Sequence, residues 1–351
     1  MTRVLALPRY THKGASSRLR TLQYIGELSR RGIDFRLESL LDDVYLDDLY
    51  AGRRTQWRRL ARAYARRASL RRMIGTFDVV WLEKEAFPWL PGAAERLLLD
   101  GTPTVVDYDD AIFHRYDQHP SRWVRALLGR KIDSVMLNAA VVIAGNDYLA
   151  ERARSAGARR IEIVPTAVDL RRYAVRGLSR ADARFTVGWI GTPQTAHYLK
   201  EIAPALQKLR QSFDVRYVFV GCPAGLDLGV PYEARAWSEA TEASELASFD
   251  CGLMPLRDGP FERGKCGYKL IQYMACGVPV IASPVGVNRQ LVTAANGFLA
   301  STPDDWCAAL QALRADEIAA RRMGASGREL VEAKYSMQAI APKLEAILRA
   351  P

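Results

Sequence analysis

Residues 261–286, FERGKCGYKLIQYMACGVPVIASPVG, gather Glu262, Arg263, Lys265, Lys269 and Gln272 around Gly264 and Gly267. The run reads as loop, helix, tight turn and strand. The helix is predicted over residues 268–275, with Gly277 as a left-handed cap and Pro279 just beyond. Residues 278–282 are apolar and bounded by turn signals, the mark of a buried parallel strand. A basic, glycine-rich loop feeding a helix N-terminus suits phosphate, because free backbone N–H groups and the helix dipole both favour an anion. Lys265, Lys269 and Gln272 are spaced by four and three, which puts them on one helical face if the helix starts early. Cys266 reads as a small space-filler in that loop rather than a nucleophile.

Three further clusters carry polar groups at strand ends. After the first strand come Ser16, Ser17, Arg18 and Arg20. Either serine can cap the following helix, and the guanidinium groups can clamp phosphate. A second strand ends in Asp107, Asp109 and Asp110, with His114 a turn beyond. Three carboxylates cannot be buried unpaired, so they are expected to face a cleft, a partner or water. The loop with Gly191, Thr192 and Thr195 follows strand 185–190 and leads into a helix over residues 196–209, a second phosphate cradle. Trp237, just past strand 233–236, is either a stacking surface or core.

Strand-like and helix-like segments alternate along the chain, which implies parallel sheets covered on both faces. Strands are expected at residues 4–7, 34–37, 78–83, 104–107, 140–144 and 161–164, then at 185–190, 215–220, 233–236, 250–254 and 278–282. An arginine-rich linker near residues 173–184 separates the two series. The length of 351 residues, 49% apolar and 25% charged, fits two soluble domains, 1–177 and 178–335. No run of 18 apolar residues is present, and the N-terminus lacks a signal-peptide core. Five cysteines without a CxxC pair fit reduced thiols in the cytoplasm. Residues 1–180 hold 32 Lys and Arg against 21 Asp and Glu, whereas residues 181–351 hold 18 of each. Much of the excess lies in residues 53–72, where Trp57, Leu60, Ala61, Tyr64, Ala65 and Ala68 recur at helical spacing. This basic helix either packs its stripe on its own domain or lies peripherally on an anionic membrane surface. Nucleic acid is not expected as a partner.

Residues 261–286 resemble the donor motif of the retaining glycosyltransferases of family 4, which have the GT-B fold. The match is close over residues 272–280, QYMACGVPV. The family's second glutamate falls on Gln272 and its first on Gly264, with Glu262 two residues early. The resemblance extends to residues 144–149 and 161–169, and so over most of the chain. It implies an α/β protein of two doubly wound, Rossmann-like domains facing each other across a cleft. A final helix, residues 336–351, would return to the N-terminal domain. It also implies transfer of a sugar from a nucleotide diphosphate sugar to an acceptor hydroxyl with retention, without metal or other cofactor. Lys265, with Asp109 and Asp110, takes the catalytic roles. Gly191, Thr192, Thr195, Trp237, Glu262, Arg263, Gly267, Lys269 and Gln272 hold the donor. Ser16, Ser17, Arg18, Arg20 and His114 hold acceptor or phosphate. The acceptor would be a glycan, a lipid-linked glycan or a small molecule, in a cell-surface polysaccharide or lipid-linked glycan pathway. The replaced acidic positions keep open a non-catalytic binding or scaffold protein of the same fold.

Overall fold

The computed structural model describes residues 1–54, 56–175 and 184–351. Two compact units form: residues 1–166, 264–266 and 340–351 make the first, and residues 167–263 and 267–339 the second. The expected domain boundary after residue 177 lies outside the described residues.

The first unit is built on a six-stranded parallel sheet. Its strands are β1 (Thr2–Leu7), β2 (Ile33–Leu37), β3 (Val79–Glu83), β4 (Thr104–Tyr108), β5 (Val141–Ala144) and β6 (Ile161–Ile163), in the order β2-β1-β3-β4-β5-β6. Every residue of β3, β4 and β5 is buried, as continuous apolar runs in a two-sided parallel sheet require. The second unit repeats the plan with β7 (Phe185–Ile190), β8 (Val215–Val220), β9 (Glu233–Arg235), β10 (Cys251–Met254), β11 (Val280–Ala282) and β12 (Gly297–Leu299), in the order β12-β11-β10-β7-β8-β9. Strand order reverses between β1 and β3 in one sheet and between β7 and β10 in the other. At such switch points successive crossovers leave on opposite faces and open a crevice at the strand carboxyl ends.

Gly188 of β7 and Gly252 of β10 are register partners. The Phe249 ring fills the space a side chain at 188 would need, and the Tyr273 ring does so at 252. The Tyr273 hydroxyl accepts from Ile190 N at 2.9 Å and donates to Leu253 O at 3.2 Å. These contacts seat the helix Tyr268–Ala275 on the sheet. That helix starts only after Gly267, which has φ +66°. Lys265 therefore lies outside it, and the shared face with Lys269 and Gln272 does not form. Gly277 takes φ +69°, the left-handed cap the motif requires. The helix expected over residues 196–209 is instead a 3-10 segment, Ala196–Ile202, followed by an α-helix, Ala203–Ser212. Pro204 explains the break: it has no N–H to continue a helix but fits a first turn.

The basic helix runs Trp57–Ser69 and continues as a 3-10 turn, Leu70–Arg72. Its inward side is Leu60, Ala63, Tyr64, Arg67 and Leu70, whereas Ala61, Ala65 and Ala68 are exposed. The expected stripe is thus rotated, and Arg67 is the reason. Its guanidinium donates to Pro8 O at 3.1 Å and Glu38 O at 2.9 Å, satisfying two loop carbonyls. Burial lowers its pKa to about 10. The helix Met337–Arg349 ends in the first unit, where Lys343 donates to Ile163 O at 3.0 Å and Glu345 pairs with Arg31 at 3.3 Å.

A buried ionic knot fixes the segment after β3. Lys131 pairs with Glu85 at 2.7 Å and Glu95 at 3.2 Å, and donates to Phe87 O. Glu85 also accepts from the Tyr116 hydroxyl at 2.8 Å and from Arg9 at 3.3 Å. Removing one member of such a group leaves buried charge without compensation. Lys131→Met is therefore expected to destabilise the first unit by roughly 3–5 kcal/mol, read from urea unfolding at neutral pH; a loss near zero would show that Glu85 and Glu95 do not depend on it.

Candidate functional site

The first unit collects its charges at the carboxyl ends of β1, β3 and β4, beside the β1/β3 switch point. Lys84, the first residue past β3, has φ +61°. This left-handed conformation is uncommon for a residue with a side chain and marks a position held by its surroundings. Its ammonium lies 2.6 Å from Asp109 Oδ1, 3.6 Å from Asp110 Oδ2 and 3.0 Å from Ser16 Oγ. One buried cation thereby joins the loops that follow three strands. Burial opposes its charge, but Asp109 and Asp110 outweigh this and push the Lys84 pKa up. Burial likewise opposes the Asp109 carboxylate, and Lys84 with Arg20 holds it below the ordinary value.

The neighbouring acids are equally engaged. Glu83 accepts from Ser17 Oγ at 2.5 Å and from Arg9 N at 2.8 Å. Arg20, in a π-helical turn Arg18–Leu22, donates twice to Asp107 Oδ1, at 2.7 and 2.9 Å, and to Thr166 Oγ1 at 3.3 Å. Asp107 Oδ2 and Glu83 Oε1 are buried and have no hydrogen-bond partner among the described residues. Burial pushes the Asp107 carboxyl up to about 6, against the pull of Arg20.

Several sequence expectations are corrected here. Asp107 does not face a cleft or water, because Arg20 is buried with it. Arg20 is consequently not a phosphate clamp. Neither Ser16 nor Ser17 caps the following helix: Ser16 meets Lys84, and Ser17 meets Glu83 and accepts from Tyr10 N at 2.9 Å. Arg18 is buried and donates to His12 O at 3.0 Å. His114 sits between Asp117, at 2.8 Å from Nδ1, and the Tyr148 hydroxyl, at 2.9 Å from Nε2. Lys84 and Glu83 were missed by sequence reasoning. The available signal was three charged residues in a row, Glu83, Lys84 and Glu85, ending an apolar strand.

Residues 264–266 belong to this unit. Asn146 donates to Gly264 O and Lys265 O, both at 3.0 Å, and Cys266 Sγ donates to Asp109 O at 3.1 Å. A Cβ at position 264 would stand 2.8 Å from Ala111 N and 2.5 Å from its Cβ. No side chain fits there without moving backbone. Lys265 Nζ lies 3.9 Å from Asp110 Oδ1. Asp110 is therefore set between two ammonium groups, and its side chain is more exposed than that of Asp109. Cys266 is buried, and burial raises its thiol well above the ordinary range, as a space-filler requires.

In the second unit, Gly191, Thr192 and Thr195 follow β7 at the β7/β10 switch point. Thr192 N donates to Thr195 Oγ1 at 3.0 Å, which closes the turn. Glu262 accepts from the Tyr198 hydroxyl, and Arg263 pairs with Asp258 at 2.7 Å. Lys269 Nζ stands 5.3 Å from the centre of the Trp189 ring, a cation–π contact. Gln272 is buried and donates to the Tyr173 hydroxyl at 3.1 Å. That hydroxyl donates to Glu242 at 2.6 Å, and Glu242 also accepts from Trp237 Nε1 at 2.7 Å. Gln272, Tyr173, Glu242 and Trp237 thus form one connected group; Tyr173 and Glu242 were not expected. Among the described residues no cluster of three His, Cys, Asp or Glu side chains could hold a metal ion.

Comparison with known proteins matches residues 20–172 to a model described as Glycosyltransferase Family 4 and residues 184–316 to one described as Glycosyl transferases group 1. A GDP-mannose-dependent monoacylated alpha-(1-6)-phosphatidylinositol monomannoside mannosyltransferase from Corynebacterium glutamicum is 36% identical over 108 residues, 30% of this chain. The match spans 28% of that relative's length. Among solved structures, sucrose-phosphate synthase from Thermosynechococcus elongatus aligns with a TM-score of 0.73 at 16% identity, covering 99% of this chain and 98% of the other. Anabaena HepE in complex with UDP-glucose aligns at 0.74 and 16% identity over 100% of both chains. These structures share the GT-B fold, and the two parallel six-stranded sheets described above are that fold.

Two measurements probe the buried charges. Lys84→Met is expected to cost roughly 3–5 kcal/mol in urea unfolding, with Lys84→Met/Asp109→Asn regaining a good part; simple additivity would deny the coupling. The second concerns Asp107, whose ordinary pKa of 3.8 rises to about 6 in the fold. Between those values the folded chain keeps a proton that the unfolded chain releases, so folding is favoured less as pH rises. Wild type should lose on the order of 3 kcal/mol relative to Asp107→Asn between about pH 4 and 6, then run parallel. Unfolding curves across that window that stay parallel throughout would contradict the burial effect.

Proposed function

We propose that this chain, which its two matched domains and its fold place among the GT-B glycosyltransferases, moves a sugar from a nucleotide diphosphate sugar to an acceptor hydroxyl with retention. The observation that carries the reading is the tandem of glycosyltransferase domains, each with polar groups gathered at its own sheet's switch point. In the proposed step, the acceptor oxygen bonds to the anomeric carbon as the carbon–oxygen bond to the diphosphate breaks. The departing phosphate oxygen takes the acceptor proton on the same face. No protein nucleophile is needed, and the work falls to placing the reactants and stabilising the leaving diphosphate.

Lys265 is the proposed diphosphate contact; the N–H groups of Gly191 and Thr192 already donate to Val220 O and Thr195 Oγ1. Asp110 takes the sugar or acceptor hydroxyls, because Asp109 is already engaged with Lys84. The donor's base and ribose are assigned to the group of Trp237, Glu242, Tyr173 and Gln272. An acid at position 264, which the family resemblance would supply, is excluded sterically by Ala111. The sugar contact it would make is thus reassigned. The acceptor side follows the Corynebacterium relative, whose acceptor is a phosphatidylinositol mannoside: a lipid-linked or polysaccharide glycan.

The test is a thermal-shift and calorimetric screen against UDP, GDP, ADP and dTDP. A ligand bound only by the folded chain raises its melting temperature by mass action. One diphosphate is expected to do so, and Lys265→Ala to weaken its binding about ten-fold, as loss of a charge-assisted contact implies. No shift with any nucleotide, in a folded sample, would favour a non-catalytic binding protein of the same fold.

A further inference from the structure

We propose that the first unit docks on an anionic lipid surface through the short helix Arg122–Leu128 and the exposed residues Trp89 and Leu90, flanked by the outward side of the helix Trp57–Ser69. The inference deepens the acceptor side of the proposed function, but its test requires no sugar transfer.

The helix Arg122–Leu128 turns its last leucine inward and its large apolar residues outward. Leu128 is buried, whereas Trp123 is 66% exposed and Leu127 74%. Four residues apart, those two share one face. Arg122, Arg125 and Arg130 are exposed around them, and no acidic residue occurs from 118 to 132. Trp89 is 51% exposed and has φ +65°. A strained backbone that carries an indole into solvent contributes little to a core and reads as functional.

Contacts set these pieces next to one another. The Trp89 ring stands edge-on to Tyr116 at 5.2 Å and to His119 at 5.8 Å, and Trp89 N donates to the Tyr116 hydroxyl. The carbonyls of His119 and Pro120 accept from Arg125 Nη1 at 2.6 and 2.9 Å, which ties the segment to the helix. On the other side, the Tyr64 hydroxyl donates to Pro88 O at 2.6 Å, and its ring packs on Phe87. Tyr64 belongs to the basic helix, whose outward side offers Trp57, Arg58 and Arg62. Nine arginines and no acid lie between residues 53 and 72.

The composition selects the partner. Indole rings and leucines settle at the interfacial depth of a bilayer, while arginines around them bind lipid phosphates. The basic helix supplies charge together with Trp57, and the other insertion residues are Trp123, Leu127 and Trp89.

Sedimentation with vesicles of phosphatidylglycerol and phosphatidylcholine in equal parts tests this on the whole chain. Wild type is expected to pellet with them, and only weakly with phosphatidylcholine alone. Trp123→Ala/Leu127→Ser should weaken the partition at least roughly ten-fold, as loss of two buried apolar side chains implies, with an unchanged melting temperature. Arg58→Glu/Arg62→Glu should remove the salt-sensitive part of binding. Failure of wild type to pellet with anionic vesicles at low salt would overturn the proposal. So would equal binding to neutral vesicles, or a Trp123→Ala/Leu127→Ser variant that partitions like wild type. None of these outcomes touches the nucleotide screen, so the two readings fail separately.

Discussion

Glu83, Glu85 and Asp107 are buried at the ends of β3 and β4 with Asp109 half-buried beside them, and the first unit is organised around satisfying them. Glu85 meets Lys131 and Arg9, Asp107 meets Arg20 and Asp109 meets Lys84, while Glu83 is held by the Ser17 hydroxyl and the Arg9 N–H. Carboxylates removed from water without cations would protonate or unfold the site. The cations come from the loop after β1, the loop after β3 and a helix after β4, so the charge requirement also sets where those loops run. The left-handed Lys84 is the clearest sign: its backbone takes an uncommon conformation so that one ammonium can serve Asp109, Asp110 and Ser16 together.

This arrangement decides which polar groups remain for a ligand. Asp107, Arg20, Ser17 and Glu83 are consumed by one another, as are Glu85 and Lys131. Asp110 and Lys265 keep more exposure to solvent. The chemistry assigned to the chain therefore rests on fewer groups than a count of charged residues implies. It also shifts a sugar-binding duty away from position 264, because the backbone of Ala111 occupies the space an acid would need. A functional site and a structural salt network share the same strand ends, and only the pairing distances separate them.

Peripheral charge follows a similar logic. The arginines of residues 53–72 give the first half its excess of positive charge, yet one of them, Arg67, is turned inward to satisfy two loop carbonyls. Of the large apolar groups left in water, Trp57 lies on that helix and Trp89, Trp123 and Leu127 on other segments. Charge and apolar exposure were thus distributed over three pieces of chain that are adjacent only after folding.

The fold class, the two alternating series of strands except β12 and the left-handed cap at Gly277 were legible in the sequence alone. Period, length of apolar runs and glycine placement are local properties, and parallel strands buried on both faces write them plainly. The sequence also marked residues 261–286 and the polar ends of several strands. Which of those polar residues touch is set only once the chain has folded. Asp107 and Arg20 are 87 residues apart in the chain, and Asn146 and Gly264 are 118 apart. No local pattern encodes such pairings, because they arise from the order in which strands line up in the sheet. The serines at 16 and 17 were misread for that reason: helix capping is the local option, whereas β3 brings Glu83 and Lys84 close enough to take their hydroxyls instead.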